Sequence, residues 1–317
     1  MKIERKLYLV IPCYNEAEVL PTTSEYLMDK MLYLINQGKL SSDSRICFVN
    51  DGSTDETWEI ICKLHKQNSI FSGICLSRNR GHQNALLAGL MTVKGHCDFT
   101  ISLDADLQDD INCIDEMVEK YYEGFDIVYG VRKKRKTDSW FKRFSAEGFY
   151  KLIHFMGAQI VYNHSDYRMM SNRTLDVLSE FHEVNLFLRG MIPMIGFKST
   201  CVYYDRLERM AGESKYPLKK MVFFAFQGIT SLTVEPIRFI TKLGIAVFFI
   251  SAIILLWSLY RYTAGETILG WTSIMVSIWA IGGLILFSIG IIGEYIGKIY
   301  LETKHRPRYT ISEFLND

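Results

Sequence analysis

The chain has 317 residues and a net charge of +1, from 36 basic and 35 acidic side chains. That length suits one large domain or two small ones, and a balanced charge carries no global field of the kind that draws nucleic acid, so no such partner is expected. The cysteines, at 13, 47, 62, 75, 97, 113 and 201, form no C-x-x-C pair. This excludes zinc-ribbon and thioredoxin-like sites and predicts reduced thiols in a cytosolic domain.

Residues 1–6 are charged and lead straight into a short apolar run, so no signal peptide is expected to export the domain. Runs rich in Val, Ile and Phe predict strands over 7–12, 45–50, 73–77 and 99–103, with two more over 126–131 and 198–204. Helical patterns over 18–37, 55–67, 83–93 and 111–123 fall between the first of these. The alternation predicts an α/β domain with a mostly parallel sheet. Ligands of such sheets sit beyond the carboxyl ends of the strands. Polar clusters lie at those ends, at 13–16, 51–55, 78–82 and 104–109.

After Leu218 the composition changes. Residues 243–260 carry no charge between Lys242 and Arg261, and Phe239 and Ile240 extend the run upstream. At about 1.5 Å per residue this crosses roughly 27 Å, near the hydrocarbon thickness of a bilayer. Residues 267–293 are likewise uncharged, between Glu266 and Glu294, and longer, so tilt is expected. Transmembrane helices are therefore predicted at about 239–260 and 268–293, within a segment 237–297. Lys215, Lys219, Lys220, Arg238 and Lys242 precede the first, and Lys298, Lys304, Arg306 and Arg308 follow the second, whereas the connection holds only Arg261. The excess of basic residues predicts that both termini are cytoplasmic. Residues 217–236 combine Lys219 and Lys220 with Met221, Phe223, Phe224 and Phe226, and read as a juxtamembrane amphipathic segment or a helix packed on the domain. The organisation is thus a domain over 1–216, that segment, the hairpin, and a tail over 298–317. Gly282, Gly283, Gly290 and Gly293 allow close helix packing within or between chains, compatible with a homo-oligomer.

The strongest chemical signal follows the strand at 99–103: Asp104 and Asp106, two apart, with Gln108 and Asp109 beyond. Carboxylates so placed can converge on Mg2+ or Mn2+, which commonly takes one or two carboxylates plus substrate phosphates. Such an ion neutralises a departing diphosphate. The loop 11–16 ends the first strand and offers backbone N–H groups and the Tyr14 ring to a nucleotide. In the loop 50–55, Asp51 is suited to accept from base or ribose donors and Gly52 to a tight turn, while Ser53 or Thr54 followed by Glu56 also reads as a helix cap. In 77–85, Arg78 and Arg80 suit a diphosphate and Gly81 a close approach; His82 alone reads as structural.

With these four loops in order, the chain resembles the family 2 glycosyltransferases of the GT-A fold, and among them the polyprenyl-phosphate glycosyltransferases. The resemblance spans nearly the whole chain, including the C-terminal hairpin. It implies nucleotide-sugar contacts at Pro12, Tyr14, Glu16, Asp51, Arg78, Gly81, Asp104, Ala105 and Gln108, and metal ligation by Asp104 and Asp106. Residues 130–132 match a segment near the acceptor phosphate, and 165–170 match a D-[FY]-R-L-M element in which Met169 replaces the usual Leu. Arg189 and Gly190, 212–216 and 304–309 match later elements. Cations for the lipid phosphate are Arg132 first, then Lys142, Arg143, Arg168 and Lys215.

The implied reaction is inverting transfer of a hexose, with UDP-glucose as the expected donor, to a polyprenyl phosphate such as undecaprenyl phosphate. It would take place at the cytoplasmic face of a bacterial inner membrane. Asp166 is the candidate base. An acceptor phosphate with a second pKa near 6 is already largely dianionic at pH 7, so orienting an arginine or the sugar is the competing role. Two other classes share features: a processive polysaccharide synthase, which should carry a Q-x-x-R-W element not found here, and a non-catalytic nucleotide-sugar binding protein, which would not need Asp104, Asp106 and Asp166 together.

Overall fold

The structure is a computed structural model that describes residues 4–133, 164–183, 186–205, 235–263 and 270–316. In chain order the elements are β1 (Leu7–Cys13), α1 (Leu20–Asn36), β2 (Arg45–Asn50), α2 (Thr57–Gln67), β3 (Phe71–Leu76), α3 (His82–Val93), β4 (Phe99–Ser102), α4 (Cys113–Tyr122), β5 (Ile127–Arg132), β6 (His164–Ser171), α5 (Asn172–Ser179), α6 (Leu188–Met194), β7 (Ser199–Tyr204), α7 (Glu235–Thr263), α8 (Trp271–Thr303) and β8 (Ile311–Leu315).

β1 is buried along its whole length because it is covered on both faces. Alternation sorts its side chains: Leu7, Leu9 and Ile11 join a cluster with Leu20, Leu27, Met31 and Leu34 of α1, while Tyr8 and Val10 join another with α3 and α5. Two helical layers thus sandwich one sheet, in the order β7-β5-β6-β4-β1-β2-β3-β8. β1 pairs in parallel with β2 and β4, β2 with β3, and β5 with β7. The strand order reverses at β1, where β2 and β3 lie to one side and β4 to the other. This opens a crevice at the carboxyl ends of β1 and β4.

Two strands were not expected. The motif around Asp166 forms β6, antiparallel to both β4 and β5. The C-terminal tail returns to the sheet as β8, antiparallel to β3. Tyr8 Oη donates to Asn316 Oδ1 at 2.9 Å and secures its end. The sheet therefore includes residues 311–315, which follow α8 and lie outside the range 1–216 expected for the domain.

α8 continues past Glu294 and Lys298 to Thr303, beyond the expected end at 293. Among the described residues one stretch, Ile281–Thr303, is long and apolar enough to cross a membrane. The expected amphipathic segment lies almost entirely outside the described residues, as do Lys142, Arg143 and Lys215.

Candidate active site

The loops at the carboxyl ends of β1, β2 and β3 are laced together by side chain to backbone hydrogen bonds. Asn15, left-handed at φ 54°, receives the Thr54 N–H on Oδ1 at 2.9 Å and donates its own N–H to Ser53 Oγ at 3.0 Å. The expected cap at Ser53 or Thr54 is thus replaced. α2 starts at Thr57 with Glu56 at the cap position and no side-chain cap bond; Asp55 Oδ1, just before it, accepts from Thr57 N at 3.1 Å.

Asp51 is 2% exposed, and its carboxylate accepts from Arg80 N at 2.7 Å and Gly81 N at 2.9 Å. It was expected to face a nucleotide. In the structure it anchors the loop that carries Arg78, Gly81 and His82. Gly52, at φ +62°, sits so close beneath this loop that an added Cβ would lie 2.5 Å from Arg78 C and Asn79 N. A Gly52→Ala protein should lose about 1–3 kcal/mol from the left-handed backbone alone, with the clash adding to it, as read by denaturant unfolding. Gly81 is also left-handed, at φ +85°, but nothing lies within 4 Å of its missing Cβ. Its requirement within the fold is therefore conformational and does not come from packing against protein atoms.

Two further residues expected at the nucleotide are buried. Pro12 lies inside β1, where it pairs with Val49. Ala105 is 4% exposed, and its carbonyl accepts from Thr23 Oγ1 at 2.7 Å. Tyr14 and Arg78 are exposed, and Glu16 is half-buried. Gln108 is buried and donates its N–H to Asp106 Oδ1 at 3.3 Å across a turn in which Leu107 is left-handed.

Register brings the two motif carboxylates together. β4 and β6 run antiparallel with Ser102 opposite Arg168. Two residues after Ser102 comes Asp104, and two before Arg168 comes Asp166, at the same end of the pair. His82, the first residue of α3, lies between them: its Nε2 is 3.7 Å from Asp104 Oδ1 and 3.5 Å from Asp166 Oδ2. Arg189, from α6, donates to Asp166 through Nε at 3.3 Å and Nη2 at 3.0 Å. Arg168 Nη2 reaches the same carboxylate from beneath at 2.5 Å.

Arg168 was expected at the acceptor phosphate. Its side chain has no exposure, so it acts as a buried counter-ion to Asp166. His82 and Arg189 were not among the expected site residues. Arg189 had matched an element of the family with no role attached, and His82 alone had read as structural; α6 and α3 bring them to the site.

The electrostatics divide the carboxylates. Burial alone would raise Asp166, but Arg189, the hydrogen bond from His82 and Arg168 outweigh it and hold its carboxyl well below the usual range. Burial would lower His82, yet Asp166 and Asp104 raise it on balance. Asp104, whose side chain keeps 38% exposure, is pushed up to about 6, first by desolvation in the crowded site and then by Asp109, Asp166 and Asp106, with His82 opposing. Among the described residues no three His, Cys, Asp or Glu side chains are arranged to hold a metal by themselves. A pair of carboxylates under mutual repulsion nonetheless fits a hard divalent cation that also takes oxygens from a substrate diphosphate.

Comparison with known proteins agrees with this architecture. The family profile "Glycosyl transferase family 2" matches residues 8–178. The chain is 52% identical to "Uncharacterized glycosyltransferase YkoT" of Bacillus subtilis, over 96% of this chain and 90% of that protein. It is 37% identical to "Bactoprenol glucosyl transferase" of Shigella phage SfV, over 96% and 98% of the two chains. The "Prophage bactoprenol glucosyl transferase homolog" of Escherichia coli K12 gives the same identity and coverage.

Proposed function

The chain belongs to glycosyl transferase family 2 and is a glycosyltransferase, and from that premise we propose that it transfers a hexose from a nucleotide diphosphate sugar to a polyprenyl phosphate. UDP-glucose is the favoured donor and undecaprenyl phosphate the favoured acceptor, in line with relatives named bactoprenol glucosyl transferase. The observation that carries the reading is the meeting of Asp104, His82, Asp166 and Arg189 at the strand-order reversal.

In this reading an oxygen of the acceptor phosphate dianion attacks the anomeric carbon. The bond to the nucleoside diphosphate breaks and its electron pair leaves with the diphosphate. The acceptor becomes a monoanionic diester, so no proton has to be removed. Asp166, held ionised by Arg189, His82 and Arg168, is a poor proton acceptor. It serves to fix Arg189 and His82 beside the reacting centre. Asp104 and Asp106 are the residues that would hold Mg2+ or Mn2+, which supplies charge neutralisation at the diphosphate. Tyr14, Glu16 and Arg78 line the donor side. Arg132 is the acceptor-phosphate cation among the described residues, with Lys142, Arg143 and Lys215 proposed alongside it. The site thus works mainly by positioning and electrostatic stabilisation.

We place the protein in a bacterial inner membrane as a two-span protein with both termini cytoplasmic. Exposed large apolar side chains along α7 and α8, among them Phe249, Ile253, Leu256, Leu286 and Phe287, support a lipid environment. The β3–β8 pairing adds a topological argument. The chain leaving α8 must end on the same side as the sheet, so a crossing by α8 requires a second crossing. α7, with 29 residues, is long enough at about 1.5 Å per residue. An impermeant maleimide added to intact cells should label Thr263→Cys and spare His305→Cys; equal labelling would sink this orientation.

The activity is tested with the full chain in detergent, polyprenyl phosphate and labelled nucleotide sugars. Metal-dependent formation of a lipid-linked sugar is expected. Nucleotide binding with no turnover on any sugar would favour a non-catalytic protein instead.

A further inference from the structure

Arg132 ends β5, and the parallel register of β5 and β7 sets it directly opposite Tyr204. Arg132 Nε donates to Tyr204 Oη at 3.3 Å, and its Nη2 donates to Asp109 Oδ1 at 3.3 Å. The Tyr204 hydroxyl donates to the same Asp109 oxygen. On its other side the phenol oxygen meets Ser165 Oγ at 2.8 Å, and Ser165 Oγ accepts from Tyr167 N at 3.3 Å. The directions are mutually consistent: Ser165 and Arg132 donate to Tyr204, and Tyr204 donates to Asp109.

Asp109, Tyr204 and Ser165 are all 3% exposed or less, so these bonds form away from water, where each is stronger; Asp109 takes both of its bonds on Oδ1, and its Oδ2 meets no hydrogen-bond partner among the described residues. Tyr204 is braced further by an edge-to-face contact with Tyr167, 5.5 Å between centroids. Burial and the neighbouring Asp109 push the Tyr204 hydroxyl up, which keeps it protonated and donating. The network thus joins three separate parts of the fold. Asp109 lies three residues beyond Asp106, Ser165 adjoins Asp166, and Arg132 stands where β5 leaves the sheet.

We infer that Tyr204 and Asp109 are positioning residues that orient the Arg132 guanidinium toward the anionic acceptor. The inference rests on the reading of Arg132 given above. Its physical content is entropy. A free arginine samples many rotamers, whereas one with Nε and Nη2 tied along a single edge is held in one orientation before a phosphate arrives.

The test uses the full chain in detergent, with initial rates measured against polyprenyl phosphate at saturating donor and against donor at saturating acceptor. Tyr204→Phe keeps the ring and its packing. It should raise the acceptor KM about tenfold, as expected for one hydrogen bond to a charged group, and leave the donor KM within about twofold. Asp109→Asn should act in the same direction. In an Arg132→Gln background, Tyr204→Phe should add little, because both changes act through one guanidinium. An unchanged acceptor KM in Tyr204→Phe, with Arg132→Gln raising it, would overturn the positioning role alone. An unchanged acceptor KM in Arg132→Gln would remove the underlying reading of Arg132. A fall in melting temperature with no change in either KM would make the network merely structural.

Discussion

An Asp166→Ala protein is expected to lose at least about a thousandfold in transfer rate, the upper end of what removal of one preorganised electrostatic group costs. It should also lose about 3–5 kcal/mol of stability, the usual effect of stripping a buried charge of its partner. Asp166 is the carboxylate on which Arg168, Arg189 and His82 converge. Arg168 is completely buried, and its Nε and Nη1 already meet no hydrogen-bond partner among the described residues. Without Asp166 its charge would remain in the sheet uncompensated. Asp166→Asn keeps the shape and should cost less stability while losing most of the activity.

The pH dependence of this stability has a definite sign. Asp166 has a depressed folded pKa. Its contribution is therefore present above the ordinary carboxylate value of about 3.9 and is lost as pH falls through the folded value. His82 has a raised folded pKa. Its contribution is full below about 6.5 and fades as pH rises through the folded value. The difference in melting temperature between wild type and Asp166→Asn should accordingly be largest between about pH 4 and 6.5. A difference that grows steadily above pH 7 would contradict the assignment.

The second large effect is expected at Asp104, with the opposite sign for stability. Asp104→Asn should reduce transfer about 10²–10³-fold yet melt at or above the wild-type temperature in metal-free buffer. The reason is that Asp104 is pushed up to about 6 by desolvation in the crowded site and by surrounding carboxylates. A carboxylate so raised destabilises the fold when ionised, and the amide removes that repulsion. Such a trade of stability for activity is common where a site is arranged for a ligand. Titration with Mg2+ or Mn2+ should stabilise the wild type more than Asp104→Asn, measured by thermal unfolding. Transfer undiminished by a chelator would remove the metal from the proposal.

The parallel part of the sheet was legible because β1, β2, β3 and β4 are short apolar runs alternating with amphipathic helices, and period alone separates the two. β6 was read as a motif instead. Asp166 and Arg168 are charged, and charged residues at alternate positions do not look like a buried strand unless their mutual neutralisation is known. β8 follows a basic tail and has only five residues, so nothing local announces that it will cap β3. Asp51 was read as a site residue, but its bonds to the loop after β3 were not legible. A sequence shows a carboxylate and does not show that the Arg80 and Gly81 amides will fold back onto it.

The sequence by itself determined the fold class, the edge of the sheet at which polar loops gather, the Asp104–Asp106 pair and the apolar C-terminal segments. Each of these depends on local composition and on the spacing of residues along one element. Only the tertiary structure decided that His82 and Arg189 face Asp166, that Arg168 is a buried counter-ion, and that Tyr204 stands against Arg132. These depend on strand order and register, which cover Arg168 and join Asp166 to Arg189, Arg132 to Tyr204 and His82 to Asp166 across 23, 72 and 84 positions of the chain, and no local period encodes such a meeting.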